Sequence, residues 1–175
     1  MINARSETLV ERPAFRDLVP GRRCVVPADG FYEWRREGEG KQPYYVRRPD
    51  EGPLALAGLW DAWERPEGCV ESCTVITAPA NRLLLPLHDR MPVLLDEEGV
   101  DLWLDGSVGD PARALEALGP SEAVPLEVFR VSRRVNGIRH DDAELIEPEG
   151  PPVRDADAWE GPASREAKPE QLGLF

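Results

Sequence analysis

The chain has 175 residues, 41% of them hydrophobic and 31% charged, with a formal net charge of −12 at pH 7, which allows one domain with a real core, with or without tails. No stretch approaches the roughly 18 apolar residues of a membrane-spanning helix. Met1-Ile2-Asn3-Ala4-Arg5-Ser6-Glu7 lacks the pattern of a secretory leader, and three cysteines are too few for a disulfide framework, which fits a reducing cytoplasm.

The net charge argues against a generic polyanion binder. Its distribution is uneven, with +3 on residues 1–48 and −15 on the remainder. A mildly basic front on an acidic body can hold a local nucleic-acid site; the alternative is an acidic body that is simply solvated. Fifteen Gly and eighteen Pro favour a turn-rich β or α+β fold over a helical bundle.

In chain order, Ser6 is placed to cap a short helix that Pro13 and Pro20 limit. Cys24-Val25-Val26 reads as a strand, and Asp29-Gly30 as a tight turn. Phe31-Tyr32-Glu33-Trp34 alternates faces and pairs, around a loop tip at 37–40, with Tyr44-Tyr45-Val46-Arg47. Leu54–Trp60 is a buried strand, Ser72–Thr77 a second one rich in β-branched residues, and Pro92–Leu95 a third. Helices are expected near Asn81–Leu85, near Val100–Leu104, and over Pro111–Leu118 with Gly119 as the stop. A last strand covers Glu127–Val131. From Glu147 the composition turns acidic and Pro-rich, too poor in apolar surface to offset ordering entropy. This gives a domain over 1–148 and a disordered tail over 149–175.

Several side chains suit chemistry. Asn3 and Arg5 are two apart, so an extended segment presents both on one side. Glu33 sits among aromatics, where burial raises a carboxyl into the general acid–base range; the alternative is an exposed Glu on a polar strand face. His88-Asp89-Arg90 places an imidazole between an acid and a guanidinium just before a strand, suiting proton handling or phosphate contact; the alternative is a structural His. Cys69 and Cys73 lack the second ligand pair of a zinc site and read as structural. Cys24 reads as buried and inert. No phosphate loop, nucleophile elbow or two-His metal motif occurs.

Taken together these segments are more specific than any of them alone. Asn3-Ala4-Arg5-Ser6-Glu7-Thr8, Arg23–Trp34, Lys41–Tyr45, Ala57-Gly58-Leu59-Trp60, and His88-Asp89-Arg90-Met91-Pro92-Val93 resemble, in this order, the SRAP family of SOS response-associated peptidases, or abasic site processing proteins. The resemblance runs to about Pro148. It implies an α+β, mainly β fold with a twisted, barrel-like antiparallel sheet and a few peripheral helices. It also implies a partner, single-stranded DNA with abasic sites, and a chemistry. An N-terminal cysteine, freed of its Met by autopeptidase activity, attacks the ring-opened sugar through its amine and closes a thiazolidine through its thiol. By the same resemblance Asn3 positions the nucleophile, Glu33 is the acid/base, and His88 assists proton transfer. Arg5 and Arg90 lie near the DNA backbone. No cofactor or metal is implied.

One departure stands out, because Ile2 follows Met1 where the family carries cysteine. Met1 resembles an internal Met of the family, as if a segment with the nucleophile preceded it. The explanations are a misplaced start or truncation, or a diverged relative that does not crosslink. On either, the chain as written forms no thiazolidine. Gln171-Leu172-Gly173-Leu174-Phe175 resembles the peptides that bind the bacterial sliding clamp, with Leu172, Leu174 and Phe175 entering an apolar pocket and Gln171 making polar contacts. The expected role is abasic-site sensing and crosslinking in the cytoplasm, at the nucleoid. A non-catalytic DNA- or clamp-binding remnant and an unrelated hydrolase using Glu33 and His88 are the rivals.

Overall fold

Alternating side chains on two long strands organise the molecule. The computed structural model describes residues 3–106, 111–119 and 123–159. Its elements are β1 (Asn3–Arg5), α1 (Pro13–Arg16), β2 (Arg23–Ala28), β3 (Phe31–Glu37), β4 (Gly40–Arg47), β5 (Leu54–Arg65), β6 (Gly68–Pro79), β7 (Arg90–Pro92), β8 (Leu94–Leu95), α2 (Glu97–Leu104), α3 (Pro111–Glu116) and β9 (Glu127–Arg130), with short 3-10 turns between several of them. The larger sheet runs β1-β6-β5-β2 and the smaller β3-β4-β9, while β7 joins β6 and β8 joins β5. Only the β1–β6 pair among these ladders is parallel. The fold is mixed α+β and mainly β, with a curled sheet and a few peripheral helices.

The period-2 rule sorts the core. On β5, Ala57 and Leu59 face a cluster with Ala4, Phe15, Ile76 and Trp103 beneath the helices. Leu54 and Leu56 face a second cluster, shared with Tyr44, Val46 and Val128 of the smaller sheet, which joins the two sheets. On β4, Tyr45 points the other way, onto Phe129 and Val131. The helix α2 starts at Asp96, whose carboxylate accepts from the Gly99 amide at 2.8 Å, an N-cap bond. Its far end is held by Arg23, which donates to the carbonyls of Trp103 and Asp105 and to that of Val19. A cation at these carbonyls also complements the helix dipole.

The segment 90–95 explains how the sheet curls. It pairs first with β6 (Thr77 opposite Pro92) and then with β5 (Leu56 opposite Leu94). Between the two, the Val93 amide donates to the Ile76 carbonyl at 2.9 Å, and the Val93 carbonyl accepts from the Ala57 amide at 3.0 Å. The β5–β6 hairpin therefore forks, and fully buried Val93 fills the fork. A continuous strand over Pro92–Leu95 was expected; the switch of partner at Val93 splits it.

Other expectations are corrected. Ser6 caps no helix, because Ser6–Thr8 is itself a 3-10 turn with Arg5 at the cap position. No helix forms near Asn81–Leu85. Asn81 accepts from the Leu84 amide through its side chain at 3.0 Å, and a run of turns leads to His88. Asp29-Gly30 makes no hairpin but carries the chain from the larger sheet into the smaller. A Cβ at Gly30 would overlap the Val46 carbonyl and the Tyr45 ring, so close approach dictates glycine there. The tight hairpin is β3–β4, where Gly38 takes φ +58, as such a turn requires. Cys69 and Cys73 are exposed and Cys24 is half-buried, so none is a fully buried structural thiol.

The first part of the expected tail is ordered on the domain. Val153 exchanges two backbone hydrogen bonds with Val128, at 2.7 and 2.9 Å. Arg154 pairs with Glu127, and the Trp159 indole donates to the Leu83 carbonyl at 2.9 Å. A few apolar anchors, above all Trp159 in the second cluster, supply the burial that the segment's average composition hides. Gln171, Leu172, Leu174 and Phe175 lie outside the described residues.

Candidate functional site

The site residues come from four places in the chain. Asn3 and Arg5 are exposed on β1, either side of buried Ala4. Parallel pairing sets Asn3 opposite Val75 and Arg5 opposite Thr77, and the Thr77 hydroxyl donates to the Ala4 carbonyl at 3.2 Å. Thr77 is a hub that sequence reasoning missed. From its other side Arg90 donates through Nε to the Thr77 hydroxyl at 3.1 Å and through Nη2 to the Thr77 carbonyl at 2.6 Å.

Arg90 also forms a two-point ion pair with Glu7 at 2.8 and 2.9 Å. The hydrogen bond from Arg90 holds the Glu7 carboxyl at about 2, well below its ordinary value. Arg90 is thus a clamp between β6, β7 and the turn after β1, whereas Arg5 has no ion pair among the described residues. Of the two arginines expected at a DNA backbone, Arg5 is exposed and Arg90 is engaged by Glu7. Glu7 stood within the Asn3–Thr8 motif, but nothing in the sequence linked it to Arg90.

His88 is oriented locally. Its Nδ1 accepts from the Arg90 amide at 3.0 Å, and it lies 3.2 Å from the Asp89 carboxylate and 3.1 Å from the Arg90 carbonyl. All three contacts are made through Nδ1, whichever tautomer the ring adopts. Either state leaves Nε2 for a ligand.

Glu33 lies on β3 opposite Tyr44. Burial pushes its carboxyl above the ordinary value; His88 counters that, as does the Trp34 amide, and Asp89 adds to it. The His88 imidazole therefore acts on the raised Glu33 carboxyl, although the two belong to different parts of the chain. Asn3 has no side-chain hydrogen bond among the described residues and is not tied to Glu33 or His88 by one. The structure thus groups Glu33 with His88, and Arg5 with Arg90 around Thr77.

Two of the thiols fit poorly as nucleophiles. Burial pushes the Cys24 thiol up, and the hydrogen bond with Glu64 does the same for Cys69, which disfavours the reactive thiolate. No cluster of three or more metal-ligating side chains occurs among the described residues. No helix among them is long and apolar enough to cross a membrane.

A curled, mainly β fold that carries a raised carboxyl at Glu33, a backbone-held imidazole at His88 and the Arg90–Glu7 clamp is the class of protein that fold and site define. The family model for SOS response associated peptidase (SRAP) matches residues 1–138, and the chain belongs to that family. The abasic site processing protein YoqW of Bacillus subtilis is 42% identical over 149 residues, 84% of this chain and 66% of that protein. The abasic site processing protein HMCES of Gallus gallus is 34% identical, over 83% of this chain and 49% of that one. A crystal structure of a Bacteroides thetaiotaomicron protein superposes with a TM-score of 0.74 at 30% identity, over 83% of this chain and 65% of that one. The chain thus spans slightly under two thirds of the bacterial relative and about half of the vertebrate one.

Proposed function

We propose that this chain recognises abasic sites in single-stranded DNA and binds them without covalent chemistry. What supports the reading is Glu33, a carboxyl raised by burial, with His88 among the charges that act on it and the His88 ring held against the Arg90 backbone. A deoxyribose without its base exposes hydroxyls and, when ring-opened, an aldehyde. Such groups fit a carboxyl that gives or accepts a proton and an imidazole Nε2. Arg5 supplies a cation for the flanking phosphates, and Asn3, two residues along β1, offers an amide to the same strand. The names of the relatives, abasic site processing proteins, point the same way.

Binding is the part of the reading that the described residues support. Thiazolidine formation needs an amine and a thiol on one residue, and Cys24, Cys69 and Cys73 bring a thiol without an α-amine. Crosslinking with autopeptidase activity is the second reading, favoured by the relatives' names and by the family description. The test is one oligonucleotide with and without an abasic site, run on native and denaturing gels. A shift on the native gel favouring the abasic strand, absent after denaturation, is expected. Equal shifts for both strands overturn recognition, and a denaturation-resistant adduct overturns the non-covalent reading. The terminal Gln171, Leu172, Leu174 and Phe175 would tether the protein to the sliding clamp at replicating DNA.

A further inference from the structure

Beside Glu33 lies a cleft that the reading above leaves unused. It measures about 420 Å³, and the ordered C-terminal segment forms one of its walls, a size within the usual range of small-ligand sites. Strand alternation places Glu33, Arg35 and Glu37 on one face of β3, so that Arg35 follows Glu33 by about 7 Å. Tyr44 is paired across from Glu33, and its hydroxyl donates to Glu37 Oε1 at 2.9 Å. Glu33 is therefore neighbour to two residues that line the cleft, Arg35 along the strand and Tyr44 across it.

The lining is divided by chemistry. Pro151, Pro152 and Trp159 line its apolar side. Trp159 is fixed edge-on to Tyr44 at 5.4 Å, with the buried Arg35 guanidinium 5.2 Å over its ring. The polar end holds Glu37 and Arg130, paired at 3.2 Å, so a carboxylate acceptor and a guanidinium donor stand side by side. Among the described residues each Glu37 oxygen has one partner, and a carboxylate has about four lone-pair positions in all. The end of the cleft can therefore accept further donors.

The geometry points to a guanine base, carried by a nucleotide next to the abasic position, as the occupant of this cleft. The inference rests on the reading that the abasic strand lies at Glu33. A flat ring against Trp159 and Pro151 suits any unpaired base. The polar end selects among them. Guanine offers two adjacent donors, N1–H and N2–H, to the Glu37 carboxylate, and its O6 accepts from Arg130. Adenine and cytosine would turn a ring-nitrogen lone pair onto the carboxylate, and thymine would turn two carbonyls around a single N–H.

The test is fluorescence anisotropy with labelled single strands carrying a stable tetrahydrofuran abasic analogue, flanked on both sides by G, A, C or T, beside the matching intact strands. The guanine-flanked strand should bind about tenfold more tightly than the other three, the scale of one good paired contact to a base. Glu37→Gln should bring it to the level of the others. Equal affinities for the four flanks overturn the inference, and so does a guanine preference that survives Glu37→Gln. The first comparison uses the unaltered protein and needs no variant to fold. A preference for abasic over intact strands with no effect of the flanks would sink the cleft alone. A guanine preference on intact and abasic strands alike would keep the cleft and overturn abasic recognition.

Discussion

Arg90 grips Glu7 through two parallel hydrogen bonds, Nη1 to Oε1 at 2.8 Å and Nη2 to Oε2 at 2.9 Å, and so ties the turn after β1 to β7. Planar guanidinium meeting planar carboxylate is the strong form of an ion pair. It fixes the edge strand that carries Asn3 and Arg5.

The pair gives a pH dependence whose sign follows from linkage. The Glu7 carboxyl is held at about 2, below its ordinary 4.5. Its stabilising contribution is complete above the ordinary value and is lost as pH falls through about 2. Thermal unfolding of the native chain and of Glu7→Gln, followed from pH 7 to pH 2, should give a lower Tm for the variant at pH 7 and a gap that closes towards pH 2. A gap independent of pH would assign the effect to packing.

Glu33 titrates in the opposite sense. Burial raises its carboxyl, so ionising it in the folded state costs stability, and that cost grows as pH rises through the folded value. Glu33→Gln should therefore raise Tm at pH 8 and leave it nearly unchanged at pH 4, while weakening the binding of abasic strands. A functional residue kept at the expense of stability is the expected trade-off. A lower Tm for the variant at pH 8 would show that Glu33 is there for structure.

Trp159 anchors the C-terminal segment by its contacts with Tyr44, Arg35 and the Leu83 carbonyl. Trp159→Ala should cost about 2–4 kcal/mol in urea unfolding, a little below the about 3–5 kcal/mol for a fully packed aromatic because Trp159 is half-buried. A loss under about 0.5 kcal/mol, as for ordinary surface changes, would mean that the segment contributes nothing to the domain.

Gly30→Ala tests the crossing between the sheets. The new methyl meets the Val46 carbonyl and the Tyr45 ring, and a loss of about 1–3 kcal/mol is expected from overpacking, read by urea unfolding. For the terminus, deleting Gln171–Phe175 should abolish pull-down by a bacterial sliding clamp, and unchanged pull-down would refute the tether.

Much of the sheet was legible because apolar alternation in Leu54–Trp60, Ser72–Thr77 and Tyr44–Arg47 follows the pleat. What the sequence concealed was long-range. Asn3–Arg5 is too short and polar to announce a strand, and it forms one by borrowing the edge of β6. Val93 looks like any strand residue, yet its two hydrogen bonds to different strands create the fork. The leucines around Asn81–Leu85 suggest a helix, but Asn81 caps a turn and Pro86 cannot continue the ladder. At the site, the types of Glu33 and His88 and their places beside strands were readable, whereas the clamp of Arg90 on Glu7 and Thr77 was not, since it spans 83 residues of chain. The ordered segment up to Trp159 was misread from average composition, where single apolar anchors decide.

The central claim is that Glu33 and His88 receive the abasic sugar, and the imidazole reports on it directly. The chain has two histidines, so an NMR spectrum of the labelled imidazoles holds one signal set for His88 and one for His140. On titration with an abasic single strand, the His88 resonances should shift in saturable fashion while those of His140 stay in place, and the intact strand of the same sequence should leave both unmoved. Movement of His140 alone, or an identical response of His88 to abasic and intact strands, would contradict the assignment.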